Sequence, residues 1–167
     1  WFLLSSAANI GWLLLWHYNQ FPLTVIFMLV LLAALILIYL ALHRPAARYS
    51  RVELWMVRVP FSIYLGWITV ATIANISATL VVVKWNGFGL APTLWFAVVL
   101  VAAVIIAALM TTFRRDVAYL AVLVWAFVGI AVRPTDSTLV VTAAWLAAGV
   151  VALFIAYSVY KKGRSVA

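Results

Sequence analysis

The chain has 167 residues, of which 69% are hydrophobic and 8% are charged, with a net charge of +8. Because soluble domains are roughly half apolar and a quarter charged, this composition excludes a soluble globular protein. The positive charge does not indicate a nucleic-acid partner, since the basic residues stand in short clusters beside long apolar runs, as membrane-flanking charges do. The absence of cysteine excludes disulfides, iron–sulfur clusters and cysteine nucleophiles.

Six apolar segments follow one another along the chain. About 20 apolar residues cross the hydrocarbon core of a bilayer, and backbone groups in lipid must be paired within the segment, so each is predicted as a helix. The six segments are residues 1–18, 22–42, 59–83, 92–113, 117–132 and 138–160. The sequence therefore predicts an all-α, polytopic transmembrane helix bundle of about six membrane-spanning helices.

The connections between these segments are short. Asn86-Gly87 and residues 133–136 are typical of tight turns. We therefore expect one transmembrane helical domain over residues 1–167. Because the sequence starts at Trp1 inside an apolar run, we also expect a fragment with about two further helices upstream.

The basic residues alternate between the two sides of the membrane. Nine fall on one side and two on the other, and the positive-inside rule therefore predicts a cytoplasmic C-terminus. The nine are Arg44, Arg48, Arg51, Arg58, Arg114, Arg115, Lys161, Lys162 and Arg164, and the two are Lys84 and Arg133.

The acidic residues give no sign of catalysis. Glu53, Asp116 and Asp136 fall in predicted loops or at helix ends. Charged residues inside the membrane usually mark ion pathways and proton relays, so their absence argues against a pump, an ion-coupled transporter and an intramembrane hydrolase.

Two histidines remain as candidate metal ligands. His43 follows a predicted helix end, beside a basic residue, and is interpreted as solvated. His17 could ligate the metal of a haem or chlorophyll, but a hydrogen-bonded interfacial anchor is the favoured interpretation because no second axial ligand is evident.

The third predicted helix carries polar and aromatic residues at helical spacing. Trp67, Ala71 and Asn75 stand four residues apart on one face, and Tyr64 and Thr72 flank it. An asparagine in hydrocarbon needs a partner, which can be another helix or a ligand.

The first helix carries a similar stripe of Ser5, Asn9, Trp12 and Trp16. Two such helices could line an aromatic pocket with a few polar groups. The alternative is that the asparagines only bond helices together, and spacing alone favours it. The sixth helix carries alanines four residues apart, which predicts close helix packing within the bundle or in an oligomer; these are Ala144, Ala148, Ala152 and Ala156.

Two of these stretches resemble motifs of the tryptophan-rich sensory protein family (TspO/MBR, or translocator protein), in particular its longer bacterial branch. Asn9-Ile10-Gly11-Trp12 is similar to the N-x-x-W of that family's third helix. Residues 67–75, WITVATIAN, are similar to the W-x-[ST]-x-A-T-x-x-N of its fifth helix. The resemblance covers roughly the first half of the chain, and the family's first two helices would lie upstream of Trp1.

The resemblance implies a non-catalytic membrane protein that binds hydrophobic ligands such as porphyrins and sterols in a pocket between its helices. The implied ligand is a tetrapyrrole (porphyrin, haem or chlorophyll-like), and the implied location is the bacterial inner membrane. Together with the two stripes, the expected ligand-binding residues are Asn9, Trp12, Trp16, Tyr64, Trp67, Ala71, Thr72 and Asn75.

A second hypothesis belongs to a different class of function. It is a non-catalytic accessory subunit of a larger membrane complex, for example a photosynthetic or respiratory one. The expected partners under both hypotheses are the lipid bilayer and either a homo-oligomer or such a complex, with no nucleic acid.

Overall fold

The computed structural model describes residues 1–44 and 49–164. Within these residues the secondary structure is helical, without strands, which confirms the predicted all-α class. The six helices are α1 (Phe2–His17), α2 (Phe21–Leu42), α3 (Arg51–Val82), α4 (Pro92–Phe113), α5 (Val117–Val132) and α6 (Thr138–Arg164).

Four helices are long and apolar enough to cross a membrane: α2, α3, α4 and α6. Helices α1 and α5 have 16 residues each. At 1.5 Å per residue they reach roughly 24 Å, somewhat less than the roughly 30 Å hydrocarbon core. The prediction of about six spans is therefore compatible with four long helices and two shorter apolar ones.

The chain divides into two compact units. Unit 1 is Trp1–Trp85, with α1 to α3, and unit 2 is Asn86–Ala167, with α4 to α6. The expectation of a single transmembrane domain stays a prediction.

Helix α2 is the centre of unit 1 and packs against both α1 and α3. Its buried residues Thr24, Met28, Leu31 and Leu35 are each at most 1% exposed. These positions follow the three-and-four spacing of one helix face. One stripe of α2 therefore forms the core against both neighbours.

The turn between α1 and α2 is tight because of a left-handed residue. Asn19 has a φ of 58°, a conformation that asparagine tolerates better than most side chains. The Asn19 N–H donates to the carbonyl of Trp16 at 3.1 Å, and the Gln20 N–H donates to that of Leu15 at 2.8 Å. These two bonds satisfy the last carbonyls of α1, as in a Schellman motif.

Helix α3 begins earlier than the sequence predicts. We expect its start at residue 59, but helical structure begins at Arg51, where the Ser50 hydroxyl accepts a hydrogen bond from the Glu53 N–H at 3.1 Å. A wide π-helical turn at Leu54–Arg58 ends two residues before Pro60. Proline lacks an N–H and crowds the preceding turn, so a local change of helical pitch keeps the helix continuous.

This extension moves two of the predicted loop arginines into a helix. Arg51 starts α3 and is exposed, whereas Arg58 is only 5% exposed. The predicted segments 22–42 and 59–83 leave both residues in the connection between two helices, and this placement is wrong because the Ser50 cap and the wide turn extend the helix to Arg51. Arg48, which falls in the same predicted connection, lies outside the described residues.

Unit 2 opens on a turn that needs glycine. Gly87 has a φ of 60°, and a Cβ added there would lie 3.0 Å from the indole nitrogen of Trp95. That indole donates to the Gly87 carbonyl at 2.7 Å. The Asn86 side chain accepts from the Phe88 N–H at 3.1 Å, so the predicted tight turn is held from both sides.

Helix α6 packs against α4 and α5 within unit 2. Ala144 and Ala148 are buried, but Ala152 and Ala156 are exposed. Positions four apart drift round a helix by roughly 40° each time, so a four-residue stripe leaves the contact face after two turns. Val151 continues the buried face instead.

Candidate functional site

Asn75 has a partner within the protein. Its Nδ2 donates to the hydroxyl of Thr24 on α2 at 2.9 Å, and that hydroxyl donates to the Phe21 carbonyl at 2.6 Å. Asn75 is 3% exposed and Thr24 is fully buried. The carboxamide therefore joins α3 to α2, which is the helix-bonding role that spacing favours.

The predicted stripe on α3 spreads over two sides of the helix. Thr72 is 5% exposed, and its hydroxyl donates to the Ile68 carbonyl at 2.7 Å. Trp67, by contrast, is 45% exposed, and Ala71 and Tyr64 are partly exposed. The drift of roughly 40° every four residues explains why Trp67 and Asn75 do not share one buried face.

The stripe on α1 forms an aromatic cluster with the start of α2. The ring centroids of Trp12 and Trp16 lie 5.7 Å apart with a tilt of 34°. The Trp16 ring meets Phe21 edge-on at 4.9 Å. Both distances are within the range of attractive aromatic contacts. Ser5 is buried, and its hydroxyl donates to the Phe2 carbonyl at 2.8 Å.

The indole nitrogen of Trp12 is a buried donor without an acceptor. It is the one buried side-chain nitrogen or oxygen in the part of the chain that the structure describes that has no hydrogen-bond partner. Leaving such a group unpaired costs about 1–3 kcal/mol. No spacing rule in the sequence distinguishes Trp12 from the other tryptophans in this respect.

Asn9 stands one helical turn from Trp12. Its side chain is exposed and makes no hydrogen bond to another described residue. Residues three apart on a helix have Cβ atoms about 5–6 Å apart, so the two polar groups are neighbours on α1. A carboxamide on an apolar helix needs a partner, and none of the described residues supplies it.

Helices α1 and α3 run parallel to each other and antiparallel to α2. At one end Trp16 of α1 touches the Phe21 ring, and Thr79 of α3 donates to the Phe21 carbonyl at 3.2 Å. At the other end the rings of Phe2 and Phe61 meet edge-on at 6.4 Å. The α1 stripe and the buried face of α3 therefore lie on neighbouring sides of α2.

Gly11 allows the close approach of α1 to α2. A Cβ at this position would lie 2.2 Å from the Cε1 atom of Phe27, which is much shorter than the contact distances of real Cβ atoms. The sequence shows Gly11 only as an interior position of the N-x-x-W stretch. Its packing role could not be inferred, because Phe27 lies on the next helix.

The histidines show no metal-binding arrangement. The His17 ring is exposed and meets Tyr18 edge-on at 5.1 Å. His43 is not simply solvated as expected, because its ring stacks on Tyr39 at 4.0 Å and its Nδ1 lies 3.0 Å from the Tyr39 carbonyl. Among residues 1–44 and 49–164, no group of three potential ligands is placed to hold a metal ion.

A buried arginine at the start of α3 was not predicted. The Arg58 Nε donates to Glu53 at 3.4 Å, and the guanidinium carbon lies 3.7 Å from the centre of the Tyr49 ring. The Arg58 side chain is 6% exposed and that of Glu53 is 42% exposed. The three side chains tie the segment before α3 to the helix.

Comparison with known families identifies the chain. The family model described as TSPO-like protein matches residues 1–157. The match extends through α4 and α5 and into α6, beyond the first half of the chain that the motif resemblance covers. No curated protein and no solved structure matches the chain. With its long apolar helices, the chain is an integral membrane protein and belongs to the TSPO-like protein family.

Proposed function

We propose that the protein is a membrane-embedded, non-catalytic binding protein for a hydrophobic ligand, and that a tetrapyrrole is the leading ligand class. The observation that carries this proposal is the buried indole N–H of Trp12, which has no acceptor among the described residues. Family membership supports it. The site lies in unit 1, on the α1 face beside α2 and α3.

The chemistry of this face suits a flat, largely apolar molecule. Trp12 and Trp16 offer aromatic surface for stacking, and the Trp12 N–H and the Asn9 carboxamide offer polar contacts at its edge. Asn75 fixes α3 against α2 through Thr24 and so holds the wall of the site. Glu53, the acidic residue of unit 1, lies at the opposite end of α3 from Asn75.

Trp12→Leu should weaken porphyrin binding by about 1 kcal/mol or more, roughly fivefold in Kd, because one aromatic contact is lost. The measurement is a titration followed by the porphyrin absorption band in detergent. Trp55→Leu is the matched control, since Trp55 is 62% exposed at the start of α3. It should leave the Kd unchanged.

Equal Kd values for wild type, Trp12→Leu and Trp55→Leu would contradict the proposed site. The accessory-subunit hypothesis would then lead. The exposed carboxamide of Asn9 favours that second function, because a neighbouring helix could satisfy it.

We also propose that the protein lies in a bacterial inner membrane with its C-terminus in the cytoplasm, on the basis of the basic-residue asymmetry. Since the native chain has no cysteine, single cysteines report its topology directly. An impermeant thiol reagent added to intact cells should label Asp136→Cys and spare Gly163→Cys. Both positions are exposed, and a Cβ at Gly163 meets no neighbouring atom within 4 Å.

Permeabilised cells provide the control for this experiment, because both variants should then react. Labelling of Gly163→Cys but not of Asp136→Cys in intact cells would reverse the proposed orientation.

A further inference from the structure

Helix α6 is longer than the membrane requires, and its excess length lies at the C-terminal end. Its 27 residues, Thr138–Arg164, reach roughly 40 Å, whereas the hydrocarbon core of a bilayer is roughly 30 Å thick. The first turn of the helix has no charged residue, but the last turn carries Lys161, Lys162 and Arg164. The charged last turn therefore extends to the level of the lipid headgroups.

The turn between α4 and α5 lies at the same end of unit 2. Helix α6 follows α5 after a short turn and packs against both α4 and α5, so its C-terminal half returns to the end at which α5 begins. Ser158 is fully buried, so this packing continues to within one turn of Lys161. Arg114 and Arg115, in the turn between α4 and α5, therefore share one end of the unit with the last turn of α6.

The acidic residue at this end of unit 2 is buried. Asp116 is 9% exposed, and its Oδ1 atom accepts a hydrogen bond from the Tyr119 N–H at 3.1 Å, as the cap of α5. Arg114, Lys161 and Arg164 are exposed. Because one buried carboxylate cannot compensate five basic residues, this end of the unit presents a positively charged surface to the headgroups.

Two tyrosines hold cations of α6 at the membrane boundary. The Arg164 Nη1 atom donates to the Tyr160 hydroxyl at 2.8 Å, and the Lys161 ammonium lies 5.9 Å from the centre of the Tyr157 ring. Both rings are exposed, and tyrosine prefers the level between hydrocarbon and water. The two cations are therefore held close to the depth of lipid phosphates, which favours a lipid over a phosphate dissolved in water.

We propose that this basic end of unit 2, formed by Arg114, Arg115, Lys161 and Arg164, binds the headgroup of an anionic phospholipid. A guanidinium presents its N–H donors in a fork that matches phosphate oxygens, and an ammonium adds a compact positive charge. A zwitterionic lipid fits less well, because its headgroup brings a cation of its own. The acyl chains of the bound lipid lie along the exposed apolar side of α6, at Leu153. This inference concerns unit 2 and does not depend on the ligand site proposed for unit 1.

Two lipids with identical acyl chains test the proposal, because phosphatidylglycerol is anionic and phosphatidylcholine is zwitterionic. Native mass spectrometry of the full chain in a neutral detergent gives a Kd for each lipid from the fraction of lipid-bound protein. For the wild type, phosphatidylglycerol should bind at least roughly fivefold tighter, the effect of one basic residue near an anionic headgroup. The double variant Lys161→Gln/Arg164→Gln should lower this ratio of Kd values toward one, and Arg114→Gln should lower it in part.

Arg133→Gln is the matched control, because Arg133 is an exposed basic residue at the opposite end of α5. It should leave the ratio unchanged. Equal Kd values for the two lipids in the wild type, or a ratio that Arg133→Gln lowers as much as the double variant does, would overturn the site.

A second arm separates a lipid headgroup from dissolved phosphate. Exchange of ammonium acetate for ammonium phosphate at equal ionic strength should preserve the preference for phosphatidylglycerol, because inorganic phosphate has no acyl chains to hold it at this depth. Loss of the preference in ammonium phosphate would show that the basic end binds a soluble anion, and the assignment to a lipid would be overturned.

Discussion

Gly11→Ala should lower the free energy of unfolding by about 1–3 kcal/mol, the usual effect of adding a methyl group to a closely packed interface. The added Cβ would lie 2.2 Å from Phe27 Cε1 and 2.5 Å from Cδ1. Either the ring must turn away or α1 must move off α2. Reversible unfolding in mixed micelles would measure the loss.

Two controls make this prediction specific. Gly129→Ala, in α5, adds a Cβ that meets nothing within 4 Å, so it should be neutral or stabilising by up to about 1 kcal/mol. In a double-mutant cycle, Phe27→Ala should remove most of the effect of Gly11→Ala. If Gly11→Ala is as stable as the wild type while Phe27 is intact, the result would contradict the close packing of α1 against α2 at Gly11.

Glu53→Leu should destabilise the protein by about 1–3 kcal/mol, and more than Arg58→Met does. Removing one partner of a buried ion pair costs about 3–5 kcal/mol because a charge is left uncompensated. The charge left behind by Glu53→Leu is the guanidinium of Arg58, whose side chain is 6% exposed. Arg58→Met leaves the carboxylate of Glu53, which is 42% exposed and can be hydrated. The partial exposure of the pair is why the expected loss lies below the fully buried range.

The double variant Glu53→Leu/Arg58→Met separates this account from a simple loss of packing. Because the double variant has no uncompensated guanidinium, it should be more stable than Glu53→Leu alone. A double variant that is less stable than either single variant would show that the two side chains contribute by packing rather than by charge compensation.

Much of the helical layout could be predicted from the sequence. Helices α4 and α5 begin and end where their apolar runs do, because Pro92 and the turn residues 133–136 leave little freedom. The start of α3 could not be predicted by that rule. Residues 51–58 include charged side chains and precede a proline, and they are helical through the cap at Ser50 and the wide turn at Leu54–Arg58.

The candidate site was predictable in composition but not in its contacts. Spacing indicated that Asn75 needs a partner, but the partner is Thr24, 51 residues away on another helix. Spacing also grouped Trp67 with Asn75, although helical drift separates them. The unpaired N–H of Trp12 depends on what surrounds it in three dimensions, which no pattern within α1 contains.

The tight turn between α1 and α2 bears on how this part of the protein enters the bilayer during synthesis. Helix α1 is short and carries Ser5, Ser6 and Asn9, whereas α2 is the most apolar of the long helices. The turn at Tyr18–Gln20 has no charged residue, and the backbone bonds at Asn19 and Gln20 close it locally. We therefore expect the two helices to insert together as a hairpin, with α2 supplying the partition free energy that α1 lacks.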